Sequence, residues 1–180
     1  EDLDIVSHGF ARLGHHRAFA KTLGAIEGCH IHIKCQSSPD DQRYRNRKLF
    51  PSIILQAVCD HQGSFIDTYV GWPESVHDLR VLRHSPLYRQ SVYPPPRCFI
   101  LSDGVYPCLQ HPLPLIILYK RPLQGVRAQL FNTHHEGARS FERRRMMKTM
   151  FRQVLEVHPI FVPHVFSQSP CQLITVKESW

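Results

Sequence analysis

Residues 24–35, read as GAIEGCHIHIKC, alternate strictly from Gly28 onward: Cys29, Ile31, Ile33 and Cys35 fall on one face, His30, His32 and Lys34 on the other. A period of two is the signature of a β-strand and is incompatible with one face of a helix. A polar loop, SSPDDQRYRNRK, follows. SIILQAVCD then reads as a nearly continuous buried strand, HQG as a turn, and SFIDTYVGW as a third strand. Three strands joined in this way predict an antiparallel meander. Whatever else the chain builds must pack against that sheet.

The remaining pattern supplies the packing. Pro73 ends the third strand, and ESVHDLRVLRHS carries helical spacing at Val76, Leu79 and Leu82. YPPP is a rigid extended connection. RCFILSD is a short apolar run that ends in Asp103, a fourth strand, and PLIILYK is a candidate fifth. EGARSFERRRMMKTMFRQVLEV contains no proline and carries a rough apolar stripe of Phe141, Met147, Met150, Val154 and Val157, which predicts a helix. Residues 1–22, with Leu3, Val6, Phe10 and Leu13 at helical spacing, predict a helix packed on the domain. The fold class is therefore α/β, a mixed sheet with helices on its faces. The element order is that of the ribonuclease-H-like fold, which other α/β folds share.

The size and balance of the chain fit this picture. With 180 residues, 42% hydrophobic and 21% charged, it is long enough for one domain with a real core. A net charge of +7 favours polyanionic partners, nucleic acid before acidic membrane surfaces. Six scattered cysteines without a CxxC pair read as free thiols in a reducing compartment. No apolar run approaches the ~20 residues that span a bilayer. The expectation is a soluble intracellular protein, and a first residue other than Met predicts that the sequence is a fragment.

Few residues in this sequence can carry chemistry by position. Asp103 ends an apolar strand beside Gly104, where open α/β sheets place their sites; as a turn-former it would look the same. Glu27 interrupts the first strand between Ile26 and Gly28, where a charge needs a partner or a metal unless it is exposed. Glu142 lies on the last helix before three arginines, and a helical ion pair with Arg139 or Arg145 is its plain alternative. Asp78 follows His77 on the first internal helix, where a surface role is the default. Together these acids are the parts of a two-metal site. Hard cations such as Mg²⁺ take oxygen ligands, and two of them can serve an in-line displacement at phosphorus.

At these residues the sequence resembles the transposase-derived nucleases of the PIF/Harbinger group, whose catalytic domain is of the DDE type. The resemblance runs from Glu1 to about Ser167 and rests on GAIEGCHIHIK, on YRNRKLFPSIILQAVCDHQGSFIDTYVGWPESVHDLRVLRHSPLY, on FILSDGVYPCL and on FNTHHEGARSFERRRMMK. It implies a ribonuclease-H-like fold and a single DDE-type nuclease domain over 1–180, truncated, with an atypical tail at 168–180. It also implies a nuclease that hydrolyses phosphodiester bonds with Mg²⁺ or Mn²⁺. The family's acidic positions fall on Glu27, Asp78, Asp103 and Glu142: all four as metal ligands, with Glu27, Asp103 and Glu142 as the catalytic set. This chain departs from the family by Glu27 in place of Asp, by Val105 in place of the glycine of a GYP motif, and by shortened spacing around Glu142.

Two basic clusters are candidate phosphate contacts: Arg43, Arg45, Arg47 and Lys48, and Arg143, Arg144, Arg145 and Lys148. A solvated charged face is the alternative for each. The expected partner is DNA. The resemblance adds a separate Myb-like protein that reads sequence, and a membrane is not expected. The arginine run also fits nuclear import, so the nucleus is the expected compartment, with the cytoplasm as the alternative. Two functions compete: a metal-dependent DNA endonuclease, and a catalytically degraded domesticated transposase that binds DNA or protein. A zinc-organised domain built on CHIHIKC is disfavoured, because in a strand its cysteines and histidines face opposite ways.

Overall fold

In the computed structural model, residues 2–35, 52–73, 78–139 and 171–173 are described. The fold begins with helix α1, Leu3–Leu13, opened by the Asp2 side chain, which accepts from the Asp4 N–H at 3.0 Å. Asp4 in its first turn and Arg12 in its last complement the helix dipole. The expected helix over 1–22 is shorter than its pattern. Gly14 caps α1, His15 takes a left-handed φ of 49°, and a single 3₁₀ turn at Arg17–Phe19 leads into the sheet.

The first strand, β1, spans Thr22–Cys35 and so begins ahead of Gly24. It pairs antiparallel with β2, Ser52–Cys59, in a register running from Ala25 opposite Cys59 to His32 opposite Ser52. β2 pairs antiparallel with β3, Phe65–Pro73. The turn between them is built by Asp60. Its Oδ1 accepts the N–H groups of Gln62 and Ser64, both at 2.8 Å, while Gly63 supplies a positive φ of 83°. The predicted meander is present.

Two short helices follow, α2 at Asp78–His84 and α3 at Pro86–Gln90, the latter capped by Ser85. β4, Phe99–Leu101, returns to the far side of β1 and runs parallel to it, with Ala25 opposite Leu101. β5 is only Leu115–Ile116 and lies parallel to β4. The sheet order is β3-β2-β1-β4-β5, and β6, Cys171–Leu173, pairs antiparallel with the distal end of β1 from Ile33 to Cys35. Residues 126–139 form a helix, α4, which starts ten residues ahead of the predicted one.

Alternation along β1 divides the core into two layers. Ile26 packs with Val58, Ile100, Leu113 and Leu115 of the sheet region and with Leu82 of α2 and Leu87 of α3. Leu23 and Ala25, on the opposite face, pack with Val6 and Phe10 of α1, Phe19, Leu101 and Ala138 of α4. The result is a mixed sheet between helical layers, the ribonuclease-H-like arrangement. The ring of His61 packs against α1 at Gly9: a Cβ there would come within 2.1 Å of it, so glycine is what lets the ring approach.

Candidate active site

β1 and β4 are adjacent and parallel, in register at Ala25 and Leu101. Two residues further along each strand direction stand Glu27 and Asp103. Neighbouring strands lie about 4.8 Å apart, so the sheet places residue 103, just past the end of β4, near residue 27 within β1. Ala25 and Glu27 share the face covered by α1 and α4, whereas Gly28 shares the opposite face with Ile26.

On that opposite face, Gly28 leaves room for two other groups. A Cβ there would stand 3.6 Å from Asp78 Oδ1 and 3.6 Å from the Tyr106 hydroxyl. Asp78, the first residue of α2, is thus carried against β1 at the level of Glu27. Across the β1–β2 ladder Gly28 faces Gln56, which is buried. The Tyr106 hydroxyl donates to Gln56 Oε1 in a long contact of 3.5 Å, and Gln56 Nε2 has no hydrogen-bond partner among the described residues.

Tyr106 is the centre of the arrangement. It is 3% exposed, and its hydroxyl is pushed far above the ordinary tyrosine range. Burial is the largest cause, followed by the negative charges of Asp78, Asp103 and Glu27; the charge of Arg139 acts the other way. The phenol therefore stays protonated and keeps its O–H as a donor, here to Gln56. All three of these acids thus act electrostatically on one neutral hydroxyl.

Each acid is held differently. Asp103 Oδ1 accepts the Val105 N–H at 3.1 Å, so the turn-forming role is real and fixes one of its oxygens. Positive φ among the described non-glycine residues occurs only at His15, Ser91 and Arg97, so Val105 sits in this turn without a glycine-type backbone. Glu27 forms an ion pair with Arg139 of α4, and the two side chains are 17% and 13% exposed.

α4 is aimed by its neighbours. Asn132 accepts from the Tyr119 N–H at 2.8 Å and donates to the Tyr119 carbonyl at 3.0 Å, imitating a strand partner. His135 Nε2 donates to the Ile116 carbonyl at 3.1 Å, and His134 Nδ1 to the Gly14 carbonyl at 2.8 Å. Ala138 is fully buried on the sheet, and the next residue, Arg139, is delivered to Glu27.

Carboxylate oxygens are the donors a hard divalent cation prefers, so Glu27, Asp78 and Asp103 suit Mg²⁺ or Mn²⁺ in kind. Their placement is looser than a finished cage. Among the described residues, no three His, Cys, Asp or Glu side chains stand together closely enough to hold an ion. Glu142 and the clusters Arg43, Arg45, Arg47, Lys48 and Arg143, Arg144, Arg145, Lys148 lie outside the described residues. Tyr106, Gln56 and the Glu27–Arg139 pairing were not anticipated from sequence. The nearest signal was the position of Tyr106 three residues after Asp103.

A ribonuclease-H-like sheet with acids on and just beyond its adjacent parallel strands β1 and β4 is the arrangement of a class of metal-assisted nucleases. The profile of the DDE superfamily endonuclease family matches residues 26–168, and this chain belongs to that family. No curated protein and no solved structure matches the chain. No helix among the described residues is long and apolar enough to cross a membrane.

Proposed function

We propose that the chain is a divalent-metal-dependent DNA endonuclease of the PIF/Harbinger type, hydrolysing phosphodiester bonds at the Glu27, Asp78 and Asp103 end of the sheet. The observation that carries this reading is the placement of Glu27 on β1 and Asp103 just past the end of the adjacent parallel strand β4, with Asp78 and the buried Tyr106 hydroxyl packed over Gly28. Glu142 completes the proposed set. When bound, Mg²⁺ or Mn²⁺ supplies a deprotonated water for attack and charge stabilisation for the leaving oxygen. The protein's own part is to hold the acids in place. Asp103 is oriented by its bond from the Val105 N–H, and Tyr106, bonded to Gln56, keeps a neutral hydroxyl beside Asp78. Arg43, Arg45, Arg47, Lys48, Arg143, Arg144, Arg145 and Lys148 are proposed to grip phosphates. Such contacts add affinity that falls as salt rises, independently of sequence. A Myb-like partner would then supply sequence reading, in the nucleus.

Supercoiled duplex DNA incubated with Mg²⁺ or Mn²⁺ tests the reading. The expected result is metal-dependent nicking that falls at least about a hundredfold in Asp103→Ala, the scale of losing a group that stabilises developing charge. Nicking that is equal in the variant contradicts it. Intact DNA with retained binding favours the second reading, a domesticated transposase kept for binding alone. That second reading has its own support in the engagement of Glu27 by Arg139.

A further inference from the structure

The ion pair between Glu27 and Arg139 joins residues 112 positions apart in sequence, within the cluster proposed to hold metal. We propose that Arg139 is a built-in competitor for that site. Its guanidinium occupies Glu27 and lowers the affinity for a divalent cation, and Glu27 becomes available to the cation only when the pair opens. The proposal rests on the metal-binding reading above.

Four features carry it. First, the backbone of Arg139 is fixed near Glu27. Its helix is tied down through Asn132, His134 and His135, and Ala138 beside it is fully buried. Second, the pair is largely sheltered from solvent, where screening is weak and an arginine–carboxylate contact is stronger than on an open surface. Third, the charge of Arg139 is felt inside the cluster, since it opposes the effect of the three acids on the Tyr106 hydroxyl. A potential that acts on that hydroxyl acts on a doubly charged ion too. Fourth, the reach depends on glutamate. The backbone of residue 27 is held opposite Ala57 in the β1–β2 ladder, so a carboxylate one methylene shorter would fall back from Arg139.

The alternative role for Arg139 is to orient Glu27 as a ligand, and it predicts the opposite sign. If Arg139 competes, removing its charge tightens metal binding; if it orients, removal weakens binding. Mg²⁺ dehydrates reluctantly and demands regular geometry, so a carboxylate already engaged is a poor ligand for it.

The experiment is a calorimetric titration of Mn²⁺ into the parent protein, Arg139→Gln, Glu27→Asp and Asp103→Asn, with far-UV circular dichroism as the check on folding. The Arg139→Gln protein is expected to bind Mn²⁺ about tenfold more tightly than the parent, as loss of a nearby positive charge at moderate effective dielectric would give. Glu27→Asp is expected to shift in the same direction, and Asp103→Asn to lose binding. A parent that binds Mn²⁺ through Asp103, with Arg139→Gln unchanged or weaker, overturns the competitor role while leaving the metal reading intact. If Arg139→Gln fails to fold, an unchanged or weaker affinity in Glu27→Asp overturns the competitor role instead. No binding in any of the proteins, or binding indifferent to Asp103→Asn, overturns the metal reading and the competitor role together.

Discussion

His135 shows what a single buried polar residue does in this fold. It is fully buried, its Nε2–H is bonded to the Ile116 carbonyl, and its Nδ1 has no hydrogen-bond partner among the described residues. Burial is the chief cause that lowers its pKa from 6.5 to about 4; the backbone bond raises it and the charge of Arg139 lowers it further. Between those values the unfolded chain binds a proton that the folded protein refuses. Stability from this group is therefore complete above about pH 6.5, is lost as pH falls through the window, and levels off below about pH 4. The loss is on the order of 3 kcal/mol. Urea unfolding across that window should show the decline in the parent and a flattened dependence in His135→Gln; equal slopes in the two proteins contradict the assignment. The site acids have a different history at this scale. Asp103 was legible as a charged residue ending an apolar run, and Glu27 as a charge inside a strand. Tyr106 and Gln56 were not legible, because a buried tyrosine and a buried glutamine carry no pattern that separates them from ordinary core or surface residues. The pairing of Arg139 with Glu27 was not legible for a related reason: the two come near only through the tertiary fold, while Glu142, the helical alternative, lies outside the described residues.

Among the elements, α4 sets the position of Arg139. Its start escaped the apolar-stripe criterion because its first turns meet the core through Asn132, His134 and His135 rather than through a run of hydrophobic side chains. Asn132 is nearly buried and completes both backbone groups of Tyr119. Asn132→Ala should therefore cost about 1–2 kcal/mol, since part of the loss is recovered by water at the exposed Tyr119. Urea denaturation should show this as a lower midpoint with an unchanged slope, and an unshifted midpoint contradicts the clamp. β5 reaches only two residues where PLIILYK allowed more, because an apolar run cannot say where its pairing partner ends. β1, β2 and β3 were legible because alternation, an apolar run and a turn sequence agree there.

For the whole molecule, the sheet and its two helical layers set where the acids stand relative to one another. Glu27 and Asp103 come from neighbouring parallel strands, and Asp78 is brought by the helix that covers the other face over Gly28. The order of strands and helices was readable from the chain; the crossing of α4 over the sheet, which places Arg139, was not. The family match over residues 26–168 and the excess of positive charge point the same way, toward a protein that handles nucleic acid. The central claim is that the acidic end of the sheet holds a divalent cation. Anomalous diffraction from crystals grown with Mn²⁺ measures this most directly. A peak within coordination distance of Asp103 and a second carboxylate from Glu27 or Asp78 is the predicted result. At saturating Mn²⁺, the absence of any peak beside Asp103 would contradict it.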